Sequence, residues 1–262
     1  MRALHTAATG MMAQELNVQV ISNNIANMRT TGYKRQRAEF QDLLYEHVRR
    51  IGTQTSTQGN ILPVGIDLGG GVKTVGTPRL MTQGTLSQTG ADLDLAITGE
   101  GFFKVQMPDG TFTYTRDGSF SMDSQGRIVT PAGNVVQPGV TIPANAQSIT
   151  VNSVGQVSVT IPGSTTPTVL GQLAMTRFLN KAGLQAIGDN AFVETPASGT
   201  PQDGVPGTDG YGTLLQGNLE QANVEAVTEI SDLIAAQRAY EMNGKVITAA
   251  DQMLQSTSQL MR

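Results

Sequence analysis

The residues able to do chemistry are few, and their spacing gives them little to do together. His5 and His47 are the two histidines, and cysteine is absent. That excludes disulfides, thiolate metal sites and cysteine nucleophiles. The two histidines have no His-x-x-x-His spacing, so they make no metal set. His5 falls on an expected terminal helix and reads as a surface or packing residue. Asp92 and Asp94 could form a carboxylate pair, but on a strand they share one face around Leu93. Solvated positions on the polar side of a half-buried strand explain them. Gly69, Gly70 and Gly71 lack the strand–helix context of a nucleotide loop, and Gly244-Lys245 falls inside a helical pattern followed by Val246. Asp203 and Asp209, with glycines between them, come nearest to a calcium loop, yet their oxygen spacing fits no EF-hand. No catalytic, metal or cofactor-binding residue is assigned, no cofactor is expected, and the chain reads as a non-enzyme.

Charge narrows the classes further. The net charge is -4, and charged residues make up 15% of the chain, against roughly 25% in an ordinary soluble domain. The densest basic stretch is Lys34, Arg35 and Arg37, followed by Arg49 and Arg50, which reads as a solvated or subunit-facing strip. It is too small for a phosphate-backbone footprint, so nucleic acid is not an expected partner. A weakly charged surface resists self-association less than a heavily charged one. No apolar run reaches the ~18 residues of a membrane span, so direct membrane insertion is not expected. His5, Thr6, Thr9, Gln14 and Glu15 interrupt any apolar segment at the start, which argues against a cleavable signal.

Three kinds of element follow one another. Leu4, Met11, Val18 and Ile25 stand seven apart, and Ala7, Gln14, Ile21 and Met28 fall three residues on. This is an a/d stripe and predicts a helix over residues 3–28. The pattern stops at Thr30-Thr31-Gly32, where glycine can supply a cap. At the other end Leu233, Tyr240, Ile247, Leu254 and Met261 repeat the spacing, and Val246, Ala250, Met253, Thr257 and Leu260 widen the stripe. A helix over residues 223–261 would be about 60 Å long. Between these ends the period is two: Leu93, Leu95 and Ile97 alternate with polar neighbours, and so do Phe103, Val105 and Met107. Pro108-Asp109-Gly110 turns into Phe112 and Tyr114, and short strands such as Val157, Val159 and Ile161 follow. Residues 53–60 and 195–212 read as loops.

The expected fold class is α+β. A discontinuous, coiled-coil-like helical domain is built from both termini, and the middle domain is antiparallel, β-rich and sandwich- or barrel-like. The expected boundaries are 1–32 for the first helix, 33–75 for an extended connector, 76–215 for the β-rich domain and 216–262 for the second helix. The terminal stripes must be buried, and an antiparallel pairing of the two helices is the economical way. Both stripes are too wide for one pairing to cover, and repeated contacts with further copies would give an open helical filament. One intramolecular hairpin, or the helical stalk of a monomeric cell-surface binding module, are the alternatives from periodicity alone. On the polymer reading the subunit interface comprises Leu4, Met11, Val18, Ile21 and Ile25 of the first helix. Leu233, Tyr240, Ile247, Leu254 and Met261 complete it from the second. Asn23, Asn24 and Asn27 near the first helix end can satisfy backbone carbonyls or cross-chain partners, and Tyr33 joins an apolar body to a hydroxyl.

Particular segments also carry a resemblance. Ser22-Asn23-Asn24-Ile25-Ala26-Asn27-Met28-Arg29-Thr30-Thr31-Gly32-Tyr33-Lys34 resembles the signature of the flagellar rod and hook family. Gln237-Arg238-Ala239-Tyr240-Glu241-Met242-Asn243-Gly244-Lys245, with Asp251-Gln252-Met253-Leu254-Gln255 after it, is similar to the family's tail motif. Gly244 stands where that motif usually has serine. Gly99-Glu100-Gly101-Phe102-Phe103, running to Tyr114-Thr115-Arg116-Asp117-Gly118, resembles the β-domain shared by rod and hook members. Lys34 to Ala38, Asp42 to Tyr45 and Gln216 to Glu220 are most similar to the distal rod members. Residues 45–63 resemble an insertion that hook proteins lack and that is associated with a stiff, straight rod. The resemblance implies a structural subunit whose terminal helices pack in an inner tube with the β-domain outside. It implies a helical homopolymer that joins proximal rod proteins to hook protein, inside peptidoglycan-level and outer-membrane-level ring proteins. It also implies type III export and a place in the basal body, from the periplasm to the outer-membrane level. A proximal rod or hook protein of the same family is the nearest alternative.

Overall fold

The computed structural model describes residues 2–49, 64–163, 166–208 and 210–260. The loop expected over residues 53–60, most of the insertion expected over 45–63, Arg50, Asp209 and Met261 lie outside the described residues. The fold is α+β, as the change of period along the chain predicts, with one helix at each end and antiparallel strands between. The chain forms two compact units, each discontinuous in sequence. Met1–Ile25, Gln36–Pro78 and Glu225–Arg262 make the first, and Ala26–Arg35 with Arg79–Val224 make the second.

The first unit holds both long helices, α1 (Arg2–Ala26) and α2 (Ala226–Leu260). Heptad spacing of apolar residues and the absence of proline from both spans favour continuous helix. α1 ends six residues before Gly32, so that glycine does not cap it directly. Instead Gly32 adopts a left-handed φ of 68°, which favours a residue without Cβ. Two antiparallel ribbons complete the unit. Glu39–Asp42 pairs with Val72–Gly76, and Tyr45–Arg49 pairs with Ile66–Gly69. Of the three glycines 69–71, Gly69 and Gly70 pack against Leu43, Leu44 and Tyr45, and Gly71 approaches α1. A Cβ on Gly71 would sit 2.3 Å from Thr9 Oγ1, and its φ of 112° again favours glycine.

The second unit is built on a nine-stranded antiparallel sheet. The strand Phe102–Gln106 lies at its centre between Phe112–Thr115 and Val135–Val136, and Met175–Arg177 also pairs with it. Ser148–Val151, Gln156–Thr160 and Thr168–Gln172 form a separate three-stranded sheet. The described sheets stay open and do not close into a barrel.

Successive side chains of a strand point to opposite faces, and here both faces are covered. Phe103 enters the larger apolar core with Leu95, Ile97, Ile128, Val157 and Met175. Phe102 enters a second cluster with Tyr114, Phe178 and Phe192. Its rings meet edge to face, with the Tyr114 and Phe178 centroids 4.7 Å apart. Two-sided burial corrects the half-buried alternation expected around residue 95, because Leu95, Ala96 and Ile97 are all buried in succession. Asp92 lies in a turn ahead of the strand Leu95–Thr98 rather than on it. Among the described residues both apolar clusters belong to this second unit.

Candidate subunit interface

The two helices meet along a seam of small side chains. Ala7, Ala13, Val20, Ile21 and Asn24 are the buried residues of α1. Glu229, Ala236 and Ala250 are buried on α2, with Leu233, Asn243 and Ile247 half-buried between them. Two contacts fix how the helices run. Asn24 Nδ2 donates to Glu229 Oε2 at 3.1 Å, and a Cβ on Gly10 would stand 2.9 Å from Asn243 Nδ2. The step from Asn24 back to Gly10 equals the step from Glu229 on to Asn243, so the helices are antiparallel in one constant register. Gly10, unfavourable in a helix interior by about 1 kcal/mol against Ala, here leaves room for the Asn243 side chain.

This seam uses only part of each apolar surface. On α2, Val227, Ile230 and Ile234 and then Met242, Val246 and Met253 are exposed. At about 100° per residue Val227, Ile230, Ile234 and Met242 lie away from the seam residues Glu229, Ala236, Asn243 and Ala250, while Val246 and Met253 flank its exposed edge. Beyond Ala250 every residue from 251 to 259 is exposed, including Met253 at 64% and Leu254 at 45%. In the register just described Ala250 stands opposite the first residues of α1, so α2 overruns its partner. The ribbon of Tyr45–Arg49 and Ile66–Gly69 is exposed on both strands. Leu44, Val48, Ile66 and Leu68 add apolar area there, and a lone two-stranded ribbon is only marginally stable in water.

The residues singled out from sequence are placed as follows. Ile21 and Asn24 are buried in the seam, and Leu4, Met11, Val18, Ile25, Asn27, Leu233 and Ile247 are half-buried. Asn23, Tyr240 and Leu254 are exposed, and Met261 lies outside the described residues. Asn24 does more than cap a helix end. Its Oδ1 accepts from the Gln36 N–H at 2.9 Å, and its Nδ2 donates to the Gln36 carbonyl at 2.9 Å as well as to Glu229. In the second unit Tyr33 is buried.

One group of charges was not foreseen. Lys34, expected on a solvated basic strip, is buried with its side chain 0% exposed and pairs with Glu220, also 0% exposed. Lys34 also donates to the Thr82 carbonyl at 2.9 Å, and Glu220 Oε1 accepts from the Gly84 N–H at 2.9 Å. Arg116 Nε stands 3.6 Å from Glu220 Oε2, while its Nη2 donates to the Gly99 carbonyl at 2.7 Å. Burial pushes the Lys34 ammonium below its ordinary range, and the Glu220 carboxylate opposes that shift. Of the remaining basic strip, Arg35 is half-buried and Arg37 is an exposed partner of Glu39. No sequence pattern joins residues 34 and 220.

The groups first considered for catalysis are dispersed. His47 pairs with Asp67 at 2.6 Å on the exposed ribbon. Asp94 accepts from the Thr89 hydroxyl. Asp203 takes a 2.7 Å ion pair from Lys104 and a 2.5 Å bond from the Thr176 hydroxyl. Among the described residues no group of His, Cys, Asp and Glu could hold a metal ion, and no described helix is long and apolar enough to cross a membrane.

Comparison with known proteins accounts for the whole chain. A flagellar basal-body rod protein from Caulobacter vibrioides, FlgG, is 56% identical over 260 residues, covering 99% of each chain. The FlgG of Bacillus subtilis is 36% identical over 267 residues, covering 100% of each. The chain belongs to the FlgG family of flagellar basal-body rod proteins. Three family profiles divide it along its length. Residues 4–34 match the flagella basal body rod protein family, 96–159 the D1 domain of flagellar hook protein FlgE/F/G, and 215–260 the C-terminal domain of the rod proteins FlgEFG. The first match covers α1 but for its first two residues, and the third contains α2. The flagellar hook protein FlgE of Helicobacter pylori is 41% identical over 138 residues, but these cover 52% of this chain and 19% of that protein. Membership therefore rests on rod relatives that match from end to end.

Proposed function

We propose that this chain is a structural subunit that polymerises into the distal rod of the bacterial flagellum, a stiff shaft passing torque from motor to hook. The observation that carries the reading is the unpaired part of α2. A lone subunit leaves Val227, Ile230, Ile234, Val246 and Met253 in water, together with the whole overrun beyond Ala250. Covering apolar area is worth about 25 cal/mol per Å², and further copies of the chain can cover it by a contact that repeats without closing. The interface comprises the a/d positions from Leu4 to Ile25 and from Leu233 to Leu254, Asn23, Asn27 and Tyr33, and the outer face of α2. End-to-end similarity to rod proteins favours the rod over the hook.

On this reading residues 1–32 and 216–262 supply the helical part, 33–75 the connector with its rod-specific stretch, and 76–215 the β-rich part. Proximal rod proteins and hook protein are the neighbours along the axis, and the ring proteins surround it. The subunit reaches the periplasm by flagellar type III export without a cleaved signal. Its role is mechanical, with no reaction to catalyse and no cofactor.

Sedimentation of the purified chain across a concentration series tests the reading. The expected result is growth without a fixed end size, with straight helical filaments in electron micrographs. A chain that stays monomeric at every concentration, or stops at a small closed ring, contradicts it and favours the stalked binding module.

A further inference from the structure

The seam between α1 and α2 is poor in information. Apart from Asn17, Asn24, Glu229 and Asn243 its heptad positions carry mostly small or aliphatic residues, so a shift of one helix by seven residues, about 10.5 Å along the axis, would still set mostly apolar or small side chains against one another. Ala236 and Ala250 stand one heptad either side of Asn243, and either would face Gly10 without a clash of bulk. One pair breaks this degeneracy. Asn24 and Glu229 are both buried, and they meet at 3.1 Å. Asn24 is itself fixed by two hydrogen bonds to the Gln36 backbone, at 2.9 Å each. In a slipped pair Glu229 would face Asn17 or lie beyond the end of α1, and Asn24 would be buried against alanine. A buried polar residue without its partner is costly, and a single buried asparagine is an attested way to specify register in helix pairs.

We infer that the Asn24–Glu229 pair, anchored on Gln36, is a register lock that selects one antiparallel alignment of the two terminal helices. The alignment determines how far α2 overruns α1. In the polymer reading, on which this consequence alone rests, every subunit must present the same overrun to its neighbours.

The chain has no cysteine, so introduced thiols report the register without background. The in-register pair Gly10→Cys with Asn243→Cys is compared with two offset pairs, Gly10→Cys with Ala236→Cys and Gly10→Cys with Ala250→Cys. Each is oxidised in dilute solution and the monomeric, internally bridged product is measured. In the otherwise unaltered chain only the in-register pair closes. In the background N24L/E229L an offset pair closes and the in-register yield falls by at least half, with helix content by circular dichroism unchanged. If N24L/E229L unfolds, E229A, which keeps the Asn24 bonds to Gln36, carries the same expectation. Closure confined to the in-register pair in these backgrounds overturns the inference, and so does offset closure in the unaltered chain. Loss of helix in both variants overturns it too, because a device for alignment is not what makes the helices form. A chain that proves monomeric but keeps a single register would defeat the polymer reading and leave this inference standing.

Discussion

Lys34 and Glu220 carry the largest consequences of any single side chains. Each is enclosed, so neither can lose its partner without leaving a charge in a dry site. K34M or E220Q should each destabilise the second unit by about 3–5 kcal/mol, whereas the double replacement K34M/E220L should cost less than E220Q, because it leaves only the Arg116 guanidinium, not Arg116 and Lys34 together, without a carboxylate. Thermal or denaturant melts of the three variants check this, and equal losses in all three would refute it. A second expectation concerns acid. Burial works against the Asp203 charge, but the Lys104 and Thr176 hydrogen bonds outweigh it and hold its carboxyl below the usual range. The unfolded chain, with an Asp pKa of about 3.9, therefore binds the proton more readily. The contribution is fully present above that value and is lost as pH falls through the lower folded one. The stability difference between the natural chain and D203N should accordingly be constant near neutrality and vanish in strong acid, as a pH series of urea melts would record. Neither charge could be read from sequence. Lys34 sits in a run of basic residues that looks solvated, and its partners Thr82 and Glu220 come from segments far along the chain.

The helices and strands differ in how much of them the amino-acid order discloses. Seven-residue spacing locates both helices within a few residues of their observed ends. It does not say which part of a wide stripe faces the partner helix. Of the two a/d rows in α1, one is buried at Ala7 and Ile21 and half-buried at Gln14, and the one containing Leu4, Met11, Val18 and Ile25 is half-covered throughout. Ala13 and Val20, outside both rows, share the seam because the partner is approached from one side. The central strands disclose less, since a strand covered on both faces loses its alternation. These placements separate folding from assembly. I234D and V246D alter exposed positions on α2, so they should change the melting of the isolated chain by less than about 0.5 kcal/mol yet abolish filaments in micrographs. I21D, placed in the seam, should instead unfold the helical pair, since an uncompensated buried charge costs several kcal/mol. Filaments of normal yield from I234D and V246D would remove the outer face of α2 from the interface.

For the molecule as a whole, family membership was legible because three separated blocks each resemble the same family, and end-to-end relatives agree. The discontinuous construction of both units was only half legible. Pairing of the two terminal helices follows from their matching stripes, but Ala26–Arg35 joining Arg79–Val224 has no periodic signature. Removing residues 251–260 tests the larger design. The remaining chain keeps the entire seam, so its helical signal should fall only in proportion to the residues lost, while polymer growth should cease in sedimentation. Unimpaired growth would show that the overrun of α2 is dispensable.

One more consequence follows from the bonding of Lys34 to Glu220 and of the strand Leu95–Thr98 to Thr213–Gln216. Both close loops longer than a hundred residues, and a topology dominated by such distant partners acquires its native state slowly, in milliseconds to seconds rather than microseconds. A polypeptide still lacking its last fifth has no means of completing either contact. It stays pliable while it is being made, and hardens only when its tail arrives.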